Sequence, residues 1–133
     1  MKNLNSKYEI KIYQASPKNL SRFVLGSGGK RPLFVIGLNP STADELKPDR
    51  TISKVIEYAR KNRFDGFIML NLYPQRTTDP KELHESLKEK RHNSNVMAIS
   101  IIIREYRNIS IVAAWGNNIE SRPYLGEMFG RHI

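Results

Sequence analysis

The chain has 133 residues, of which 39% are hydrophobic and 26% charged, and its formal net charge is +9. A chain of this length forms one core, so we expect a single domain spanning residues 1–133. The sequence contains no cysteine, which excludes disulfides, thiol catalysis and thiolate metal sites. No apolar run approaches the roughly 20 residues that cross a bilayer, and the first residues lack the apolar core of a secretion signal. We therefore expect a cytoplasmic protein without a membrane partner.

The positive charge is concentrated near the start of the chain. Residues 1–31 contain seven Lys and Arg residues against a single acidic one, Glu9. The rest is close to balanced, with +1 over residues 32–80 and +2 over residues 81–133. Such an excess fits a polyanionic partner such as nucleic acid, although many basic proteins use their charge only for solubility.

Two short strands are predicted first. Residues 8–13 alternate between apolar and polar side chains, which is typical of a strand with one solvated face. Residues 22–25 form a second short apolar segment. The glycine-rich residues 26–30 lack the spacing of a Walker loop and lead into a strand, so they predict a hairpin turn rather than a phosphate loop.

Three apolar runs then predict the central strands. They lie at residues 33–37, 67–71 and 109–116, and polar loops follow them. Runs of this kind are typical of buried parallel strands, and ligands in open α/β sheets bind beyond the carboxyl ends of such strands. We therefore expect Asn39, Asn71 and Asn117 to lie on one edge of the sheet.

The helices are predicted from capping residues and apolar periodicity. Asp49 or Thr51 can cap a helix that runs to about Arg63. Its apolar face consists of Ile52, Val55, Ile56 and Ala59. Asp79, Pro80 and Glu82 are typical of the start of a second helix, with Leu83 and Leu87 as its buried side. We expect that helix to break around residues 91–95, another to span residues 96–106, and a short last one to span residues 123–129 before Gly130.

This order of elements predicts a small three-layer α/β sandwich. Strands that alternate with helices require right-handed crossovers and a mainly parallel central sheet with helices on both faces. The two N-terminal strands are expected along one edge of that sheet.

The first loop carries the most informative polar residues. Pro40 keeps Asn39 away from helical angles, so its amide is expected to project rigidly from the strand end. An amide presents a donor and an acceptor side by side, which suits a nucleobase edge, a sugar hydroxyl or a water. Acid–base chemistry would fall to Asp44, Asp49, Asp79 or a histidine. The alternative is that this loop is only a turn and a helix cap.

Each residue of the other two loops has two interpretations. Tyr73 stacks on a planar ring or closes the core, and Arg76 clamps a phosphate or carboxylate or pairs with Asp79. Trp115 favours a core position over a stacking one, and Arg50 is at the mouth of the site or is a solvated charge at a helix start. The histidines, His84, His92 and His132, lack metal-ligand spacing, and His84 is expected on a solvated helix face.

Four segments together resemble a bacterial and phage family of unknown function numbered 1643. They read LFVIGLNPSTAD, DRTISKVIEYAR, FIMLNLYPQRTTDPKEL and IVAAWGN, and the likeness runs from about residue 22 to residue 117. That family is in turn similar to the uracil-DNA glycosylase fold. In the mismatch-specific branch the first motif is Gly-Ile-Asn-Pro, which is similar to residues 37–40 here. Its asparagine orients the hydrolytic water, a role that the resemblance gives to Asn39.

One departure from the family pattern concerns the second motif. Family members usually continue past the Trp-Gly strand through another strand into a Gly-x-Pro-x-His-Pro-like loop. The sequence contains no such His-Pro pair. We therefore expect the second glycosylase motif and a fourth core strand to be absent, which would leave a sheet edge open to a second copy of the chain.

The leading hypothesis is a nucleic-acid- or nucleotide-binding domain of glycosylase-like fold, with base excision left open. Asn39 and Asp44 are the candidate catalytic residues. The candidate ligand-binding residues are Ser41, Thr42, Arg50, Asn71, Tyr73, Arg76, Thr77, Trp115 and Asn117. One alternative is an enzyme acting on a small nucleoside or nucleotide derivative, and another is a shortened inactive relative that binds protein through its open edge. No metal or cofactor is expected.

Overall fold

The computed structural model describes residues 8–115 and Arg122. Five strands form one sheet: β1 (Ile12–Ala15), β2 (Arg22–Gly26), β3 (Leu33–Gly37), β4 (Phe67–Asn71) and β5 (Ser110–Ala114). Two helices, α1 (Arg50–Lys61) and α2 (Glu89–Arg104), are joined to them by loops with short 3₁₀ turns at Pro17–Asn19 and Pro80–Glu82. Neither helix in the described part of the chain is long and apolar enough to cross a membrane.

The sheet is mixed rather than mainly parallel. Its strand order is β1-β2-β4-β3-β5. β3 runs parallel to both β4 and β5, whereas β2 is antiparallel to β1 and β4. The N-terminal strands do occupy one edge, as predicted, and β2 is the strand that runs opposite to the other four in the described sheet. β5 forms the other edge within the described residues, and dimerisation through it stays a prediction.

A helix covers each face of the sheet, which confirms the three-layer arrangement. In β3, Leu33 and Val35 pack on the α1 side, while Phe34 and Ile36 pack on the α2 side. This alternation follows from the two-residue period of a strand that is buried on both faces. Each core is closed by apolar residues of its helix, and the α1 side uses Ile52, Val55 and Ala59 as predicted.

The predicted cap of α1 is confirmed. Asp49 is the N-cap, and its Oδ1 accepts a hydrogen bond from the Ile52 N–H at 2.9 Å. The helix ends at Lys61, two residues before the predicted end.

The glycine-rich segment after β2 is not a hairpin turn, because β4 lies between β2 and β3. The segment wraps around Asp65, which lies two residues before the start of β4. The Asp65 carboxylate accepts from the Lys30 N–H at 2.8 Å and from the Arg31 N–H at 2.9 Å. The segment therefore does hold an anion, but that anion is a carboxylate of the same chain.

The start of β1 also differs from the prediction. The strand begins at Ile12 rather than at Tyr8. The Tyr8 hydroxyl donates to the Asp44 carbonyl at 2.8 Å, so the preceding segment is tied to the loop after β3. Periodicity does not predict such a contact, because it joins residues that are distant in sequence.

The predicted helix after Asp79 is wrong. Only a single 3₁₀ turn forms there, because the side chain of Gln75 takes the backbone groups that would extend it. Gln75 donates to the Glu82 carbonyl at 3.1 Å and accepts from the His84 N–H at 2.8 Å. A tertiary contact has overridden local helix signals.

The predicted break at residues 91–95 is also wrong, because α2 passes through it without interruption. Asn95 is buried in the middle of the helix, and its Nδ2 donates to the Asn71 carbonyl at 2.9 Å. A polar residue that the sequence marks as a helix breaker thus bonds the helix to the sheet. The last predicted helix, residues 123–129 with Gly130, lies outside the described residues.

Candidate functional site at the carboxyl edge of the sheet

The carboxyl ends of the three parallel strands are level with one another. Gly37 at the end of β3 pairs with Asn71 of β4 and with Ala114 of β5. The loops after β3 and β4 therefore meet, as predicted, while Asn117 lies outside the described residues. We call this edge, formed by residues 20–22, 37–51 and 71–77, the rim.

The start of β2 also belongs to the rim. Because β2 runs antiparallel to β4, its first residue lies beside the end of β4 rather than beside its start. The Arg22 N–H donates to the Pro74 carbonyl at 3.0 Å, and the Arg76 N–H donates to the Leu20 carbonyl at 3.1 Å. Sequence analysis missed Arg22 as a site residue. The available signal was a charged residue at the head of an otherwise apolar strand.

Two arginine side chains converge on one carbonyl oxygen at the rim. Arg22 Nη1 and Arg76 Nη1 each lie 3.1 Å from the Ala43 carbonyl and donate to it. Arg76 also donates to the Thr42 carbonyl at 3.0 Å. Within the described residues neither guanidinium forms an ion pair with a carboxylate, so Arg76 does not pair with Asp79, as one interpretation had it.

Arg22 is a buried cation. It is only 1% exposed, and its Nε finds no hydrogen-bond partner among the described residues. Burial is the main reason that the pKa of Arg22 is lowered to about 10; the Arg76 charge acts in the same direction, and the Asp49 carboxylate opposes it. The guanidinium is still protonated at pH 7, so the rim contains a desolvated positive charge that favours an anion nearby.

A small cavity of about 40 Å³ lies beside this charge. Its lining consists of Arg22, Asn39, Pro40, Ser41, Asp49, Thr51, Ile52 and Met69. Two larger clefts of about 290 and 230 Å³ lie along α1 beside Val112 and Phe64, and neither includes Arg22 or Asn39. Of these three cavities, the one at the rim combines a buried charge with amide and hydroxyl groups.

Asn39 holds two rim loops together. Its Nδ2 lies 3.0 Å from the Pro40 carbonyl, 3.1 Å from that of Gln75 and 3.0 Å from that of Thr77. An amide NH₂ has two protons, so it shares them among the three acceptors. The donor side of the amide thus faces the protein. No group in the described chain donates to Oδ1, which is the atom left for a ligand or a water.

Asp44 closes a turn on the rim. Its Oδ1 accepts from the N–H groups of Leu46 and Lys47, both at 2.9 Å. The bond from Leu46 is the largest influence, and with the bond from Lys47 and the Arg76 charge it holds the pKa of the Asp44 carboxyl below its usual range. The group is ionised near neutral pH and is not suited to act as a general acid there. Its role as a base stays a prediction.

The buried polar residues of the described chain gather in the rim and directly behind it. They are Ser21, Arg22, Asn71 and Asn95. Asn71 lies below the rim surface, where its Oδ1 and the Met69 Cε crowd the position that a Cβ on Gly37 would take. Neither polar atom of the Asn71 amide finds a partner among the described residues. Such groups are uncommon in folded proteins and often mark a functional site or an ordered water.

Tyr73 belongs to the α2-side core, which was one of its two interpretations. It is fully buried, so it is not positioned to stack on a ligand ring. Its hydroxyl accepts from the Lys88 N–H at 3.0 Å and lies 2.8 Å from His84 Nδ1. His84 is half-buried and outside both helices, so its predicted place on a solvated helix face is wrong. The tautomer of the imidazole decides which of these two groups donates the hydrogen bond.

The half-buried position of His84 predicts a loss of stability in acid. Burial first, and then the Arg91 and Lys88 charges, lower the pKa of His84 in the folded state. The unfolded state therefore binds more protons just below pH 6.5, and the free energy of unfolding is expected to fall as the pH is lowered through that range. His84→Phe keeps the ring contact with Tyr73. Denaturant titrations between pH 7.5 and 5 should show that the free energy of unfolding of this variant depends less on pH than that of the unmodified protein. An unchanged pH dependence would contradict this account.

The other predicted residues lie around the rim or beyond it. Thr42 and Arg50 are exposed, with Arg50 at the start of α1, and Thr77 is half-buried in the second loop. Trp115 packs against the α2-side core, which confirms the core interpretation. No cluster of His, Asp and Glu residues that could hold a metal occurs in the described part of the chain.

Comparison with known proteins gives one match. A family model described as "Protein of unknown function (DUF1643)" matches residues 20–128. No curated protein and no solved structure matches the chain. The matched range includes the whole rim, from Arg22 to the loop after β4.

Proposed function

Because the chain belongs to the DUF1643 family, whose function is unknown, we propose a function from the site itself: the protein binds nucleic acid or a nucleotide at its rim. The observation that carries the proposal is the pair of guanidinium groups, Arg22 and Arg76, that meet at the Ala43 carbonyl without a carboxylate partner in the described chain. Two adjacent like charges are unfavourable, and an anionic ligand relieves both. Guanidinium groups suit phosphate because their donors match its oxygens.

The charge of the whole chain supports this partner class. The net charge is +9, and most of the excess lies in residues 1–31. Lys11 and Lys18, in the described part of that region, are both exposed. Long-range attraction by exposed lysines would raise the rate and affinity of binding to a polyanion, irrespective of its sequence.

Base excision, which the likeness to glycosylases suggests, makes a further demand on the rim. An excision enzyme needs a pocket that encloses the flipped base. The rim cavity is about 40 Å³, which is too small for a nucleobase ring. In the proposal, binding is therefore the primary function, and Asn39 Oδ1 would orient a hydrolytic water only after the rim loops open.

The test is a mobility-shift titration with single- and double-stranded DNA over a series of salt concentrations. The affinity should fall linearly with salt on a logarithmic scale. Arg76→Gln and the charge reversal Lys18→Glu should each reduce the slope by about 1, the expected effect of losing one phosphate contact. Arg107→Glu is the matched control, because Arg107 is exposed beyond the end of α2, away from the rim.

Calorimetric titration with nucleoside monophosphates covers the small-ligand form of the proposal. Binding of either nucleic acid or a nucleotide that is weakened by Arg76→Gln supports it. An affinity that does not change with salt, or no binding to any of these ligands, would overturn it.

A further inference from the structure

The cavity at the rim indicates which part of a nucleotide is recognised, an inference that rests on the proposed function. We infer that this cavity is a binding site for a terminal phosphate group. Such a phosphomonoester occurs on a free mononucleotide and on the phosphorylated end of a strand. The inference depends on a buried donor, a helix start and the size of the cavity.

The buried donor is the Nε of Arg22. Arg22 lines the cavity, is 1% exposed and leaves this N–H without an acceptor in the described chain. A buried donor that stays unpaired carries the full cost of its desolvation. A ligand oxygen in the cavity would accept from it and would also compensate the charge of the guanidinium.

The helix start adds further donors at the same place. Thr51 is the second residue of the twelve-residue helix α1, and it lines the cavity together with Ser41. The backbone dipoles of a helix favour negative charge at this end. The cavity is thus lined by two hydroxyl-bearing residues, by Arg22 and by the first turn of α1, where the Ile52 N–H is already bonded to Asp49.

Asp49 is the group that opposes an anion in this cavity. Its Oδ1 accepts from the Ile52 N–H at 2.9 Å and its Oδ2 from the Ala43 N–H at 3.2 Å. Both oxygens therefore have backbone partners, and the carboxylate forms no ion pair with Arg22 in the described chain. The Arg76 guanidinium, which shares the Ala43 carbonyl with Arg22, leaves the site net positive.

The size of the cavity favours a terminal phosphate. A volume of about 40 Å³ is roughly three times the 10–15 Å³ that one water molecule needs, so oxygens of one tetrahedral group fit while a base does not. A phosphomonoester carries a charge of about −1.5 to −2 near pH 7, whereas a phosphodiester within a strand carries −1. The desolvated guanidinium therefore favours the terminal group.

The direct test follows the Arg22 Nε–H resonance by NMR while inorganic phosphate is added at constant ionic strength. Saturable movement of this resonance, together with a rise in Tm, is the expected result. Sodium chloride at the same ionic strength should cause neither change. Thr51→Val and Ser41→Ala should each weaken phosphate binding about tenfold, the typical effect of losing one bond to a charged group.

Arg22→Met should weaken phosphate binding about a hundredfold, because it removes the charge-assisted donor. Thr51 is exposed, so Thr51→Val keeps the inference testable even if the Arg22 variant does not fold. Arg107→Gln removes the same charge outside the rim and should bind phosphate like the unmodified protein.

The two sources of the phosphate are separated by their ligands. A nucleoside monophosphate is compared with its nucleoside, and a 5′-phosphorylated oligonucleotide with the unphosphorylated one. A preference for the phosphorylated member of either pair supports the inference and identifies the source. Equal binding within both pairs overturns the phosphate site while leaving the proposed function in place. Phosphate binding without binding to any nucleotide or DNA would overturn the proposed function and leave the phosphate site in place.

Discussion

Asn39→Asp is expected to destabilise the protein by about 3 kcal/mol at pH 7, and Asn39→Ala by only about 1–2 kcal/mol. The amide of Asn39 faces three carbonyl oxygens at 3.0–3.1 Å and is the donor for all of them. Alanine leaves these acceptors without that donor. Aspartate places a negative charge against them and drives the two rim loops apart. Denaturant titrations of the three proteins measure the difference.

The pH dependence of Asn39→Asp gives an independent check. The three carbonyl oxygens at 3.0–3.1 Å favour the protonated carboxyl more strongly than the Arg22 charge beside the same cavity favours the ionised one, so its pKa would be higher in the folded state than in the unfolded one. The extra cost relative to Asn39→Ala should therefore be full at neutral pH and shrink as the pH falls and the group gains a proton. If the two variants are equally stable at pH 7, the amide is not the donor that joins the loops.

The sequence predicted the elements whose signal is local. β3 and β4 are runs of buried apolar residues, and α1 has an apolar face with Asp49 as its cap. These patterns depend on periods of two and 3.6 residues and do not require knowledge of distant contacts. The edge where the strands end could be predicted for the same reason, since parallel strands place their carboxyl ends together.

The errors occurred where distant residues decide the conformation. The helix signals at Asp79 are overridden by the hydrogen bond from Gln75 to the Glu82 carbonyl. Asn95, which was predicted to interrupt a helix, instead bonds α2 to β4. Arg22 reaches the rim only because β2 runs antiparallel to β4. Neither the direction of β2 nor its neighbouring strand can be predicted from a segment of one arginine and three apolar residues. The loop residues thus predicted the candidate site, whereas its buried charge was not predicted.

Polar residues at strand ends were also assigned too simply to the surface. Asn71 ends β4 and Tyr73 follows two residues later, yet both are fully buried, one below the rim surface and one in the α2-side core. The backbone beyond β4 stays paired with the start of β2 for several residues. The backbone therefore stays bonded to the chain at the start of β2 as far as Arg76, and the second loop leaves the sheet later in the chain than its composition suggests.

Gly66→Ala is expected to lower the free energy of unfolding by about 3 kcal/mol, or the Tm by about 10 °C. A Cβ at Gly66 would overlap the carbonyl oxygen of Gly28 and would lie 2.7 Å from Ser27 Oγ. The Ser27 Oγ accepts from the Phe67 N–H at 3.0 Å at the start of β4. Because the clash is with backbone, it can be relieved only by moving the glycine-rich segment away from the sheet.

Gly37→Ala is the matched comparison, since its Cβ would meet side chains instead of backbone. The nearest atoms would be the Met69 Cε at 2.7 Å and the Asn71 Oδ1 at 3.0 Å. The end of a methionine can turn aside, so the loss of stability should be near 1 kcal/mol. Met69 lines the rim cavity, so this variant should lose phosphate affinity while staying folded, and Gly66→Ala should retain that affinity when measured well below its Tm. Equal losses of stability in the two variants would show that the glycine-rich segment is free to move.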